Sequence, residues 1–321
     1  MSLEKSTIVR SIRYSSRRAG TRALAAVSGA AYAEYLWFRR PEPPPLDRRE
    51  SRTPVGGTPF TLPVATSRAD EVEVTGRVYG PEGLPVAYLV HGWGGWWQQF
   101  SNLVMPLVAR GFRVVAFDAP SHGSSGAGAF GPRSTTVVEM AEAFKAVVTA
   151  LGPAGVVVAH SLGAMVTTWA RELGVEASGY VFIAPAVSVE PIVEEFGRML
   201  GLGSRRRQQL AARLERHIGV PMADFDLVAR ARREGARLPS MLAIHDVADA
   251  ETPAAGSIAL TDHWPESDLL LTEGLGHRRV LWQPMVVQTA VKFAQDAARA
   301  QPIRSITSGP RSGREPSGAI V

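Results

Sequence analysis

The chain has 321 residues and no cysteine. The sequence therefore excludes a disulfide framework, a catalytic thiolate and a zinc site with thiolate ligands. Long hydrophobic runs are also lacking. The best candidate, the Ala-rich stretch Ala23–Phe38, is shorter than the roughly 20 apolar residues that span a bilayer, and Glu34 interrupts it. A helix that spans a membrane is therefore not predicted there.

Excess positive charge is confined to the two ends of the chain. Residues 1–60 carry 11 Lys and Arg against 5 Asp and Glu, whereas residues 61–300 carry 21 against 24. The central part thus lacks the basic surface that is typical of nucleic-acid-binding proteins. No nucleic-acid partner is predicted.

The composition is that of a folded globular protein, with 45% hydrophobic and 20% charged residues. We predict three regions: a basic N-terminal helix with a Pro-rich linker over residues 1–57, one large domain over residues 58–300, and a disordered tail over residues 301–321. The tail is predicted from its Ser, Gly, Arg and Pro content.

Three interpretations of the N-terminal region remain open. Six basic residues in the first 22 positions, followed by Ala23–Phe38, fit an export signal with Ala31-Tyr32-Ala33 as the cleavage site. The aromatic end of the same stretch fits a helix that makes peripheral membrane contact. The third interpretation is a surface helix that leads into a flexible linker. A cytoplasmic location is expected, with membrane association or export as the alternatives.

From about residue 58 onward, short apolar runs alternate with helical stretches. This alternation predicts an α/β fold with a mostly parallel sheet. The predicted strands are Thr58–Pro63, Glu71–Tyr79, Pro85–Val90, Arg113–Phe117, Gly155–His160, Tyr180–Ile183, Ser240–His245 and Asp268–Thr272. The predicted helices are Gln98–Arg110, Thr135–Leu151, Ser161–Leu173 and Val280–Ala300. About three further helical segments fill residues 187–238, which predicts an inserted helical cap. The arginines of this insertion are expected to be a solvated helix face, with attraction of an anionic substrate or an acidic membrane surface as alternatives.

A serine stands between a predicted strand and a predicted helix, in Ala159-His160-Ser161-Leu162-Gly163. Small residues on both sides of the serine permit the sharp turn that exposes a nucleophile. A serine close to a glycine often does no more than cap a helix. The strand before it and the helix after it favour the catalytic interpretation.

Two further loops follow predicted strands, His91-Gly92-Trp93-Gly94-Gly95 and Asp118-Ala119-Pro120-Ser121-His122-Gly123-Ser124. With the Ser161 turn they resemble the α/β-hydrolase superfamily of serine hydrolases, esterase-like and lipase-like members with a helical cap. The resemblance implies an oxyanion hole made by the amides of Trp93 and Leu162. It also implies a structural bracing role for His122. Ala159 stands where the family usually has glycine.

The same resemblance implies the partners of Ser161. His277, in Gly274-Leu275-Gly276-His277, matches the family's histidine loop between the last strand and the last helix. The stretch His245-Asp246-Val247-Ala248-Asp249 resembles the family's acid loop, and the match puts the acid at Asp249. Asp246, which replaces the usual glycine, is the alternative acid. A metal site built from this cluster and His263 is a remote alternative.

The resemblance therefore implies a serine hydrolase that cleaves a carboxylic ester or related small acyl substrate, with no cofactor and no metal. Ser161, Asp249 and His277 are the expected catalytic residues. Acyl transfer to an alcohol or amine, and a cofactor-free peroxidase or carbon–carbon hydrolase reaction, remain alternatives on the same triad. A ligand-binding protein with a vestigial site is the alternative from another class.

Overall fold

The computed structural model describes residues 29–300. Its centre is a sheet of eight strands: β1 (Thr58–Thr66), β2 (Ala69–Tyr79), β3 (Val86–Val90), β4 (Arg113–Phe117), β5 (Ala154–His160), β6 (Gly179–Ile183), β7 (Ser240–Asp246) and β8 (Ser267–Thr272). Their order across the sheet is β1-β2-β4-β3-β5-β6-β7-β8. Strand β2 is antiparallel to β1 and β4, whereas β3 to β8 run parallel. The predicted mostly parallel α/β sheet is confirmed.

Helices cover both faces of this sheet. In chain order they are α1 (29–38), α2 (Leu46–Glu50), α3 (Ser101–Ala109), α4 (Val137–Leu151), α5 (Gly163–Glu172), α6 (Glu190–Met199), α7 (Ser204–Ile218), α8 (Leu227–Glu234), α9 (Ala254–Thr261), α10 (Gly276–Arg279) and α11 (Pro284–Ala300). Short 3₁₀ turns occupy Trp97–Phe100, Met222–Phe225, Gly235–Arg237 and Val280–Trp282.

The apolar strands are buried on both faces, which explains their continuous hydrophobic sequences. In β5, Val157 and Ala159 belong to one buried cluster, and Val156 and Val158 belong to the other. The first cluster lies under α4 and α5, and the second lies under α3 and α11. This alternation follows from the two-residue period of side chains along a strand.

Local signals fix where several helices begin. The Thr136 hydroxyl accepts a hydrogen bond from the Glu139 N–H at 3.1 Å, which caps the start of α4. Asp226 caps α8 in the same way, by accepting from the Ala229 N–H at 2.8 Å. The helix predicted to begin at Gln98 starts as a 3₁₀ turn, and α-helix begins only at Ser101.

Helices α6, α7 and α8 separate β6 from β7, within the stretch where an insertion is predicted. Their apolar side chains, such as Phe196, Leu210 and Leu214, join the first buried cluster. Whether they act as a cap, and the domain boundaries as a whole, remain predictions.

The N-terminal prediction falls partly outside the described residues, because residues 1–28 and 301–321 are not among them. Residues 29–38 are helical, and Ala33 and Phe38 are buried. No helix within residues 29–300 is long and apolar enough to cross a membrane.

Candidate active site

Ser161 occupies the tight turn between β5 and α5. Its φ is +56°, in the left-handed region that residues with a side chain seldom adopt. Strand β6 fixes the turn. The Ser161 N–H donates to the Ile183 carbonyl at 3.0 Å, and the Ser161 carbonyl accepts from the Ala186 N–H at 3.1 Å. Gly163 permits the close approach of α5, since a Cβ there would lie 2.3 Å from the Val90 carbonyl oxygen. The turn therefore holds Ser161 at the carboxyl end of the central strands.

His277 lies in α10 and contacts Asp249. Its Nδ1 is 2.7 Å from Oδ2 of Asp249. The side chains of both residues are buried, at 6% and 0% exposure. The carboxylate also accepts the N–H of Glu251 at 2.7 Å and the hydroxyl of Thr252 at 3.1 Å. Because Nδ1–H donates to the carboxylate, the other ring nitrogen, Nε2, is free to act as a base.

The Asp249 carboxyl remains ionised in this setting. Burial by itself raises its pKa, but hydrogen bonds from His245, His277 and the Glu251 N–H outweigh burial and hold the pKa well below its usual range. An ionised, buried carboxylate can orient an imidazole and stabilise its cation.

The loop after β3 faces the Ser161 turn. A Cβ on Gly92 would lie 2.9 Å from the Leu162 nitrogen and 2.9 Å from Cβ of Ser161. Within residues 29–300, the amide N–H groups of Trp93 and Leu162 donate to no backbone acceptor. Two amides that remain unpaired beside a serine can hold a developing negative charge on a substrate oxygen.

The model of the alpha/beta hydrolase family matches residues 87–313, which is more than half of the chain. The chain belongs to the alpha/beta hydrolase family. No curated protein sequence matches it.

Several solved structures are similar to this alpha/beta hydrolase at low sequence identity. One is an esterase from Thermogutta terrifontis, with 18% identity and a TM-score of 0.55, covering 74% of this chain and 99% of its own. Another is naproxen esterase from Bacillus subtilis, with 17% identity and a TM-score of 0.54, covering 77% and 94%. The monoacylglycerol lipase of Paleococcus ferrophilus has 22% identity and a TM-score of 0.51, covering 75% and 99%. At these identities the likeness shows the fold.

His245 is a contact of Asp249 that the sequence reasoning missed in this alpha/beta hydrolase. Its side chain is completely buried, and its Nε2 lies 3.3 Å from Oδ2 of Asp249. Its Nδ1 is 2.7 Å from the Ser257 hydroxyl, and Nε2 is 3.0 Å from the Thr252 carbonyl. The signal was the position of His245 at the end of β7, four residues before the acid.

Asp246, the alternative acid, contacts the backbone of the histidine loop. Its carboxylate accepts the N–H of Leu275 at 2.9 Å, the hydroxyl of Thr272 at 2.9 Å and the N–H of Ala248 at 3.1 Å. Burial raises the pKa of Asp246. Hydrogen bonds from the N–H groups of Gly276 and Leu275 and from the Thr272 hydroxyl lower the pKa by more than burial raises it, so the net shift is downward. Asp246 therefore joins the end of β7 to the loop that carries His277.

His160 holds the same loop from the other side. Its Nε2 is 2.9 Å from the His277 carbonyl, and the Gln99 amide is 3.3 Å from its Nδ1. Burial, and then the proximity of His277, lower the pKa of His160 well below its usual value. It is therefore neutral, donates through Nε2 and accepts at Nδ1. The centroids of the His160 and His277 rings lie 4.7 Å apart.

The described hydrogen bonds of His277 do not include one from Nε2 to Ser161. Such bonds often tighten only when substrate is bound.

His122 supports the loop after β3. Its Nε2 accepts the N–H of Gly94 at 3.0 Å, and its Nδ1 lies 3.0 Å from the Pro120 carbonyl. Burial lowers its pKa well below the usual value, so the ring is neutral. Asp118, at the start of the same loop, accepts the N–H groups of Trp97 and Ser124 at 2.7 and 2.8 Å. These bonds agree with a bracing role for His122.

A segment ahead of the sheet also reaches the loop after β3. Pro41 packs closely against Gly94. A Cβ on Gly94 would be 2.6 Å from Cγ of Pro41. Arg40 is buried, and its guanidinium donates to the carbonyls of Ser121 and Pro132. We call residues 39–52 the N-terminal strap. It lies outside the family match, which begins at residue 87.

Several arginines of the inserted helices form ion pairs. Arg207 pairs with Glu194 at 2.8 Å, and Arg213 pairs with Glu34 of α1 at 2.5 Å. The buried Arg230 pairs with Glu172 and Glu234. His263, which belongs to the alternative metal site, instead forms hydrogen bonds with Arg232 and with the Ala259 carbonyl. Among residues 29–300, no three acidic or histidine side chains are grouped as metal ligands.

Proposed function

We propose that this alpha/beta hydrolase is a serine esterase that cleaves a carboxylic ester, or a related small acyl substrate, through an acyl-enzyme. The observation that carries the proposal is the buried His277–Asp249 hydrogen bond of 2.7 Å, because an oriented imidazole is what a serine nucleophile requires. The family match supports a hydrolase, and the esterase and lipase names of similar folds agree with it.

In the first half-reaction, the Ser161 hydroxyl attacks the ester carbonyl carbon, and its proton moves to Nε2 of His277. The oxygen of the tetrahedral intermediate accepts the N–H groups of Trp93 and Leu162, each worth about 2.7–4 kcal/mol. The bond to the alcohol then breaks, and Nε2 returns the proton to the leaving oxygen.

In the second half-reaction, water attacks the acyl-enzyme and gives its proton to the same nitrogen. Collapse of the second intermediate releases the carboxylic acid and returns the proton to Ser161. Throughout, the ionised Asp249 stabilises the imidazolium and keeps its Nδ1–H in place.

The direct test is labelling with a fluorophosphonate probe, which reacts readily with activated serines. We expect the full chain to be labelled at Ser161, and Ser161→Ala and His277→Ala to lose the label. Ser204→Ala, which removes an exposed serine at the start of α7, is the matched control and should label normally. Hydrolysis of p-nitrophenyl esters should be lost in the same two variants. A folded chain that takes up no label would contradict the proposal.

A further inference from the structure

Glu251 has a position that the triad does not explain. Its Oε2 lies 3.8 Å from Nε2 of His277, whereas Asp249 contacts the other ring nitrogen, Nδ1. Its Oε1 lies 3.4 Å from Nε of Arg278. The Glu251 side chain is 10% exposed, whereas that of Arg278 is 51% exposed. The nearly buried carboxylate of Glu251 therefore lies beside Nε2 of His277, the nitrogen that carries the proton in the proposed reaction.

The Glu251 carboxylate is poorly compensated within the described residues. The separation of 3.8 Å from Nε2 is too long for a hydrogen bond. Within residues 29–300 Glu251 also forms an ion pair with Arg278, whose side chain is half exposed, and exposed ion pairs contribute little to stability. Burying a charge without hydrogen bonds is costly, so this carboxylate is suited to a positive charge that arrives with a ligand.

The proposed reaction determines which part of a substrate lies there. Nε2 must come within about 2.6–3.2 Å of the leaving oxygen in order to protonate it. Because Oε2 of Glu251 is 3.8 Å from the same nitrogen, it can be no more than about 7 Å from that oxygen. A charged group two carbons along the alcohol is within reach of the carboxylate.

We propose that Glu251 is a specificity-determining residue that favours esters whose leaving alcohol carries an ammonium group. The inference rests on the proposed esterase function, since it needs the leaving group to be protonated by His277. The carboxylate would contact the alcohol part of the substrate and leave the acyl part unaffected.

The test compares two esters of one acid, butyrylcholine and 3,3-dimethylbutyl butyrate. They have the same heavy-atom skeleton and form the same acyl-enzyme, and differ in having nitrogen or carbon at the quaternary centre. Acid release in a pH-stat gives kcat/KM for each. We expect the full chain to prefer butyrylcholine by about tenfold, which corresponds to about 1.4 kcal/mol. Glu251→Gln should reduce that preference to less than twofold.

Glu273→Gln is the matched control, because it removes the same charge from an exposed residue near the histidine loop. It should change the preference by less than twofold. Equal rates on both esters, or an equal change on both in Glu251→Gln, would overturn the inference and leave the esterase proposal intact. Hydrolysis of neither ester, together with no fluorophosphonate labelling, would instead refute the esterase proposal.

Discussion

The carboxylates of Asp246 and Asp249, three residues apart, make different contacts in this protein. Asp249 accepts the imidazole N–H of His277, whereas Asp246 accepts backbone N–H groups and a hydroxyl. Both have a lowered pKa because hydrogen bonds to the charged form outweigh the effect of burial. The contacts therefore favour Asp249 as the acid and give Asp246 a positioning role.

We predict that Asp249→Asn reduces kcat by about 10³–10⁴-fold, because an amide no longer holds the productive tautomer of His277. Asp246→Asn keeps the size of the side chain and should reduce kcat less than about tenfold. Steady-state kinetics on a p-nitrophenyl ester, with folding checked by circular dichroism, makes the comparison. A larger loss in Asp246→Asn would identify Asp246 as the acid.

At the scale of elements, the site is assembled from loops that brace one another. The loop after β3 is bonded to the loop after β4 through the Gly94 N–H and His122. That second loop is bonded to the N-terminal strap, since Arg40 donates to the Ser121 carbonyl. The strap also touches the first loop directly, through Pro41. Loss of a contact between two of these segments should therefore also weaken the position of the third.

We predict that Arg40→Ala destabilises the folded protein by about 1–3 kcal/mol, because it leaves the buried Ser121 carbonyl without this donor. It should also lower kcat on a p-nitrophenyl ester, since the loop after β3, which carries the proposed oxyanion amide of Trp93, loses support. Arg39→Ala is the matched control: this neighbouring arginine is exposed, and its loss should cost less than about 0.5 kcal/mol. Urea denaturation measures both. Equal stability and equal kcat of the two variants would contradict a supporting role for Arg40.

At the scale of the whole molecule, stability depends on two apolar clusters that sandwich the sheet and on buried charges at its carboxyl end. Asp246 is such a charge, with an exposed fraction of 0%. Its pKa is lower in the folded chain than the value of about 3.9 expected when unfolded. Its ionisation therefore stabilises the folded state above about pH 4, and this contribution is lost as pH falls through the folded pKa.

We predict that the difference in unfolding free energy between the unmodified chain and Asp246→Asn is constant from pH 7 to about pH 5. It should shrink as the pH falls below about 4, because protonation removes the charge that the variant already lacks. Asp268→Asn, at an exposed position on β8, should show almost no difference across the range. Urea denaturation at each pH provides the measurement. A difference that grows in acid would contradict the assignment.

Much of this protein could be predicted from local patterns. Continuous apolar runs such as Val156-Val157-Val158 predicted strands buried on both faces, because such runs have no polar face to turn to water. The Ser161 turn was predicted from small residues between a strand and a helix. Helix α9 was missed, because its short sequence, Ala254–Thr261, follows a loop and has no strong apolar period. The short helix α2 was not predicted, because it follows directly on a Pro-rich stretch that indicated a linker.

The sequence by itself determined the alternation of strands and helices and the residues that the family pattern singles out. These depend on side-chain periodicity and on turn chemistry, which are properties of neighbouring residues. Tertiary structure alone decided that Pro41 lies on Gly94, that His160 holds the His277 carbonyl, and that Glu251 stands beside Nε2. Such contacts join residues from 26 to 117 positions apart. Only the packing of the sheet and its loops brings them together, because no local pattern records which distant side chains meet.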